Sequence, residues 1–359
     1  MRVLIVTGSY PPDKCGVGDY TFQLASALAN LPGVEVGVLT TRNSVEPSQL
    51  SGVQVYPWIP RWTLRNAGLV RRAISAFRPD VAHIQYPTQG YDGLLARVLP
   101  GLVRLCGVRV VQTWHEYFAG NFLFGLVRVL ACNGLVYVRP DLHERLPAWV
   151  RAMLLSPQVF VPNASSIRPV ELTAEEAKRV RRRLSADRAL VCYFGFVYAH
   201  KGVDRLFEIA DPERHHLVLI CDLSDAEEYQ ARILRLAKEP RWAGRVTVTG
   251  FLPPRRVAEL LAVADAAVFP YTEGTGVWNS SIKAAEDAGV FILATTRDRE
   301  LVGFHEDTNT FLAACEDQSG MRDALKTHIG RRVKARTADP WKEIARAHGE
   351  LYRRVCGEN

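Results

Sequence analysis

Short runs of β-branched and other apolar residues recur along the chain, separated by longer stretches whose apolar positions return every three or four residues. Arg2–Thr7, Val34–Thr40, Val81–Gln85 and Val108–Thr113 carry the strand pattern, and Thr21–Ala29, Leu64–Phe77 and Leu94–Cys106 between them carry the helical one. Strands alternating with helices make βαβ units, and therefore a parallel sheet. The series then repeats. Strands are expected at Leu190–Phe194, Leu217–Cys221, Val246–Thr249, Ala267–Pro270 and Phe291–Ala294, with helices at Asp225–Ala237, Arg256–Val263 and Ser280–Ala288. A charged helix over Ala174–Leu184 precedes the second series. Trp341–Val355 ends the pattern with Trp341, Ile344, Ala345, His348, Leu351, Tyr352 and Val355 on one helical face, a stripe that must pack on something.

Between the two series lies Val161-Pro-Asn-Ala-Ser-Ser-Ile-Arg-Pro169, rich in turn formers, so the linker falls near residues 162 to 172. This divides the chain into an N-terminal Rossmann-like domain over 1–165, a C-terminal Rossmann-like domain over 166–338 and a closing helix over 339–359. The fold class is α/β, with two doubly wound parallel sheets expected to face each other across a cleft at the carboxyl ends of their strands. Fold alone does not fix the chemistry, so the loops after the strands must decide it.

Composition changes this picture little. A chain of 359 residues suggests about two domains, and 48% hydrophobic with 23% charged residues is ordinary for a globular protein. The seven cysteines are scattered, without a C-x-x-C, which argues against a disulfide framework or a zinc site and fits a cytoplasmic protein. Met1-Arg-Val-Leu-Ile-Val-Thr7 reads as a first buried strand rather than a signal peptide. No uncharged apolar window is long enough to span a membrane; Phe118–Val138, interrupted by Asn121, Arg128 and Asn133, reads as a buried or interfacial helix. The net charge of +7 suits an anionic donor or a peripheral contact with an anionic membrane. Nucleic-acid binding would rest on that charge alone, with no recognition motif beside it, and is not expected.

The candidate chemistry gathers at strand ends. After the first strand, Gly16-x-Gly18 reads as a turn before a helix near Thr21, where the backbone can approach an anion closely. The later strands of the first series end in His83-Ile-Gln-Tyr86 and in Gln112-Thr-Trp-His-Glu-Tyr117, and a neutral His115 is suited to hydrogen-bond a sugar hydroxyl. In the second series Lys201 follows Gly195 by six residues, ahead of a helix, placed to bring a point charge to a phosphate. The strand ending at Pro270 leads into Glu273-Gly-Thr-Gly276, and Asn279, Ser280 and Ser281 stand where a helix should start, as caps or as free backbone donors for a diphosphate.

Taken in order, these segments resemble the retaining GT-B glycosyltransferases of family 4. The resemblance rests on Tyr10-Pro-Pro with Gly16-x-Gly18, His115-Glu116, Val161-Pro-Asn163, Gly195 to Lys201-Gly202 and Val248-Thr-Gly-Phe-Leu252. It continues through Ala264-Asp-Ala-Ala-Val-Phe-Pro270, Glu273-Gly-x-Gly276, Ala288-Gly289 and the tryptophan-led last helix, which in the family crosses back to the first domain. It implies that His115, Glu273 and Lys201 are the catalytic set: His115 on the donor sugar, Glu273 beside the transferred sugar, Lys201 on the leaving phosphate. Gly16, Asn279, Ser280 and Ser281 fall on the donor side by the same comparison, and Asp19 and Tyr20 on the acceptor side; Gly18, Phe196, Gly274 and, if the loop carries an insertion, Glu286 are expected beside the donor, and Tyr86, Glu116 and Phe118 beside the acceptor.

Two departures stand out. Phe196 occupies the place where the family carries an arginine, and Ser281 the place of the second glutamate of its E-x7-E motif, for which Glu286 is the nearest substitute. No Asp-x-Asp pair occurs in the chain, so transfer without a metal or other cofactor is expected. The expected activity is transfer of a sugar from a nucleoside-diphosphate sugar to a carbohydrate, lipid-linked or small-molecule acceptor. Its rivals are a sugar-nucleotide epimerase, a phosphorylase and a catalytically silent nucleotide-sugar-binding subunit.

Overall fold

The computed structural model describes residues 1–43, 47, 49–116, 122–184, 188–336 and 338–357. The chain falls into two compact units, one formed by Met1–Asn163 with Asp339–Asn359 and one by Ala164–Ala338.

The first unit is built on seven strands: β1 (Arg2–Val6), β2 (Glu35–Thr41), β3 (Val53–Ile59), β4 (Val81–Tyr86), β5 (Arg109–Trp114), β6 (Gly134–Tyr137) and β7 (Gln158–Phe160). They pair in parallel in the order β3-β2-β1-β4-β5-β6-β7. Between them run α1 (Gly16–Ala29), α2 (Ala67–Phe77), α3 (Leu94–Leu105), α4 (Phe122–Leu130), α5 (Leu142–Arg145) and α6 (Ala148–Met153). β1 and β4 are central and almost wholly buried, as near-continuous apolar strands covered on both faces must be.

The second unit repeats the plan. After α7 (Ala174–Arg183), strands β8 (Ala189–Phe194), β9 (His215–Ile220), β10 (Val246–Val248), β11 (Ala266–Phe269), β12 (Ile292–Thr296), β13 (Gly303–His305) and β14 (Thr310–Ala314) alternate with α8 (Leu206–Ile209), α9 (Glu228–Ala237), α10 (Pro254–Val263), α11 (Ser280–Asp287) and α12 (Gln318–His328). The sheet order is β10-β9-β8-β11-β12-β14-β13, parallel throughout except for the antiparallel edge strand β13.

The closing helix α13 (Pro340–Cys356) belongs to the first unit. Its Asp339 cap accepts the Trp341 N–H at 3.1 Å, and Trp341, Ile344, Ala345, His348, Leu351, Tyr352 and Val355 are all buried, packed on α1 and on β5 to β7. Burial of each large apolar member contributes about 1.5–3 kcal/mol, so the stripe binds the helix firmly. Among the described residues no helix is long and apolar enough to cross a membrane.

Three expectations change. The described part of the Phe118–Val138 stretch, from Phe122 on, holds two elements: α4 stops before Asn133, whose N–H donates to the Val110 carbonyl at 2.8 Å while its side-chain oxygen accepts the Val110 N–H at 2.9 Å, and β6 starts at the next residue. A continuous apolar run does not reveal by periodicity where a helix yields to a strand. β3 is a strand that the expected series does not include; as an edge strand it tolerates the donor missing at Pro57. Helix α1 starts at Gly16, five residues early, so Gly16 and Gly18 are its first turn rather than a turn before it. A Cβ at Gly18 would lie 3.1 Å from the Ser9 carbonyl oxygen, so this glycine lets the helix start pack against the loop after β1.

Candidate functional site

At the carboxyl edge of the first sheet, His115 follows β5, with its N–H donating to the Tyr86 carbonyl at 2.7 Å. Its Nε2–H donates to Gln85 Oε1 at 2.7 Å, since an amide oxygen can only accept; Nδ1 is then the lone-pair nitrogen and has no partner among the described residues. Burial and the nearby His348 push its pKa down to about 3, so the ring is neutral.

Beneath it lies a buried polar cluster. His83 joins Tyr352 Oη through Nδ1 and Thr113 Oγ1 through Nε2, both at 2.6 Å, and its pKa is held well below the usual range by burial, then by His348 and His115. His348 donates from Nδ1 to the Ile344 carbonyl at 2.7 Å and receives the Tyr20 hydroxyl at 3.4 Å; burial lowers its pKa to about 4. Tyr20 meets His115 edge-on at 4.7 Å and Trp341 at 5.2 Å.

Several acceptor-side expectations change accordingly. Tyr20 is buried between His115 and α13, and it supports the histidine rather than lining a surface. Tyr86 is also buried, its hydroxyl bonded to the Ala96 carbonyl. Asp19 remains at the first turn of α1 without a side-chain partner among the described residues, and burial raises its pKa to about 6. Glu116 is exposed. Phe118 lies outside the described residues.

The second unit carries charge at its carboxyl edge. Lys201 ends a 3-10 turn after β8, and its Nζ sits 3.9 Å above the centre of the Tyr271 ring, a cation–π contact. Tyr271 follows β11 and is buried; its hydroxyl interacts with those of Tyr193 and Ser281, and burial raises its pKa. Gly195, at φ +138°, admits Ser281: a Cβ there would stand 2.8 Å from the Ser281 Oγ. The lysine, the tyrosine and the start of α11 therefore form one assembly at the ends of β8 and β11. Sequence reasoning missed Tyr271, which reads locally as one more loop aromatic.

Helix α11 starts at Ser280, as the motif requires, but Asn279 does not cap it. The Asn279 side chain accepts the Gly276 N–H at 2.9 Å, and the Ser280 and Ser281 N–H groups have no partner among the described residues. An uncapped helix start is suited to an anion. Thr272 N–H donates to the His200 carbonyl at 2.9 Å, which ties the loop bearing the exposed Glu273 to the loop bearing Lys201. Gly274 lies in the same loop at φ +79°. Phe196 is partly exposed, 6.5 Å ring to ring from Tyr198.

Glu286 does not belong with this set. It is buried in the last turn of α11, at the opposite end from Ser281, with one oxygen on Lys283 at 2.7 Å and the other on Arg336. Its carboxylate is committed to these two cations, which the expected role as a second glutamate did not foresee.

Both halves of the chain match family models. A model described as a glycosyl transferase 4-like domain matches residues 15–195, and one described as glycosyl transferases group 1 matches residues 188–330. No curated protein matches in sequence. Among solved structures, sucrose-phosphate synthase from Thermosynechococcus elongatus shares 17% identity at a TM-score of 0.74, covering 100% of both chains. Anabaena HepE in complex with UDP-glucose shares 14% at 0.67, covering 99% of this chain and 98% of its own. The catalytic domain of Arabidopsis thaliana starch synthase IV, bound to ADP and acarbose, shares 14% at 0.67 over 99% of each. With two doubly wound units and both halves matched in order, the chain belongs to the group 1, family 4-like glycosyltransferases of GT-B fold.

Proposed function

We propose that this glycosyltransferase takes a nucleoside-diphosphate sugar as donor on its second unit and transfers the sugar, with retention of anomeric configuration and without a metal, to a carbohydrate, lipid-linked or small-molecule acceptor on its first. The observation that carries this reading is the Lys201–Tyr271–Ser281 assembly: a cation seated on a buried ring beside an uncapped helix start. Breaking the sugar–phosphate bond builds negative charge on the departing diphosphate, and fixed positive groups aimed at that charge lower the barrier. That related proteins are bound to UDP-glucose and to ADP supports a nucleotide donor.

Retention fits same-face attack. The acceptor oxygen bonds to the anomeric carbon as the carbon–phosphate oxygen bond breaks, and the acceptor proton passes to the departing phosphate, so no separate protein base is required. His115, neutral and with Nδ1 open, accepts a hydrogen bond from a donor-sugar hydroxyl, and Glu273 stands beside the sugar. Asp19 lies on the acceptor side.

The test is turnover with UDP-, GDP-, ADP- and dTDP-sugars and an acceptor panel in EDTA, with the product anomer read by NMR. A retained anomer formed in EDTA is expected. An inverted anomer, or activity that appears only with added metal, overturns the corresponding part of the reading. Nucleotide binding without turnover on any acceptor would favour a silent subunit.

A further inference from the structure

By the resemblance described above, Phe196 stands in the place of an arginine, which would leave the proposed donor edge one cation short. Another strand end supplies one. Arg297 directly follows β12, the neighbour of β11 in the sheet. Three hydrogen bonds lock the loops after these two strands together: Thr275 donates through its N–H and its Oγ1 to the Thr295 carbonyl, both at 2.8 Å, and the Thr295 hydroxyl donates to the Tyr271 carbonyl at 2.6 Å. The lock sets Arg297 against Gly274, where an added Cβ would stand 3.2 Å from the Arg297 nitrogen and 3.6 Å from its Cγ. A glycine beside Glu273 thus leaves room for the arginine stem.

Four other arginines of this unit are committed. Arg205 donates to the Cys315 carbonyl at 2.6 Å, Arg332 to the Ala264 and Ala288 carbonyls at 2.7 and 3.0 Å, Arg181 pairs with Asp265 at 2.9 Å, and Arg336 pairs with Glu286. Arg297 is exposed and has no hydrogen bond or ion pair among the described residues. The adjacent Asp298 carboxylate is occupied, accepting the Glu300 N–H at 3.0 Å as the cap of the Arg299–Leu301 turn. An unpaired guanidinium, held by its stem beside the donor loop and carrying planar paired donors, matches phosphate oxygens.

We propose that Arg297 is the second cationic partner of the donor diphosphate, replacing from the end of β12 the arginine absent at position 196; this rests on the donor reading of the second unit given above. The site therefore uses cations from two loops, Lys201 after β8 and Arg297 after β12, on either side of β11.

The test is titration calorimetry of UDP, GDP, ADP and dTDP against wild type, Arg297→Gln and Arg297→Lys, with melting temperature as the control for folding. Whichever nucleoside diphosphate wild type binds should bind about tenfold more weakly to Arg297→Gln, the loss of roughly one charge-assisted contact, while Arg297→Lys, which keeps the charge but not the paired planar donors, should fall between the two. Unchanged affinity in Arg297→Gln at an unchanged melting temperature overturns the inference. Wild type that binds none of the four overturns the donor reading and this inference with it.

Discussion

The two units share a plan, seven strands with the same order at the centre of each sheet, yet their carboxyl edges carry opposite chemistry. In the first unit His115, at the end of β5, stands over neutral, buried, bonded rings from β4, α1 and α13: His83, Tyr20, His348 and Tyr352. In the second they carry Lys201, Glu273 and Arg297 on loops that reach the surface, beside an uncapped helix start. One fold thus carries buried neutral rings at one carboxyl edge and charged loop residues at the other; α1 and the closing helix supply most of the first set, and the loops supply the second.

The largest effect should come from the charged edge. Lys201→Ala should lower kcat by about 10²–10³, the scale of removing one fixed group that stabilises transition-state charge, with little change in melting temperature. A loss below tenfold would show that the helix start and Arg297 suffice. On the neutral edge, His115→Ala should cost about tenfold in kcat/KM, the worth of one neutral contact to a sugar hydroxyl, while nucleoside-diphosphate affinity stays near wild type. An equal loss of nucleoside-diphosphate affinity would break the assignment of sugar to one edge and phosphate to the other.

The histidine cluster sharpens the contrast through pH. His83, His115 and His348 have folded-state pKa values pushed below the unfolded value of 6.5, so the stability they contribute is present above pH 6.5 and is lost as pH falls toward their folded values, about 3 for His115 and about 4 for His348. Each adds a slope of about 1.4 kcal/mol per pH unit in that window. Urea unfolding between pH 7 and pH 4 should therefore show a steep loss that His348→Leu makes shallower; an unchanged slope in the variant would remove His348 from the cluster. The smallest functional effect is expected from Glu286→Gln. Nucleotide affinity should be unchanged, while stability falls by about 1–3 kcal/mol because Arg336 and Lys283 lose a buried charged partner. Weakened nucleotide binding at full stability would return Glu286 to the donor site.

Much of the fold was legible because the strand and helix periods are local. The alternation of βαβ units, the break near Asn163 and the one-sided stripe on the last helix could all be read from spacing. Boundaries failed where a distant group decided them. Asn133 precedes β6 with its side chain and N–H bonded to Val110, and the first turn of α1 packs tightly on the Ser9 backbone at Gly18. The site divided in the same way. Lys201 and Ser281 could be placed at strand and helix ends from the motif, but their common support, Tyr271, is a matter of three-dimensional packing. Glu286 and Tyr20 looked available in one dimension and are committed in three, to Arg336 and to His115 with Trp341. Arg297 lay outside every motif, and only the lock between Thr275 and Thr295 brings it to Gly274.

The central claim is that the second unit's carboxyl edge seats a nucleoside diphosphate. The direct measurement is thermal unfolding of wild type and Lys201→Ala with UDP, GDP, ADP, dTDP and CMP. Wild type should gain stability with one nucleoside diphosphate, about 2.7 kcal/mol at 100 times its dissociation constant, and Lys201→Ala should gain far less at the same concentration. No gain with any nucleotide, or an equal gain in both proteins, would contradict the account.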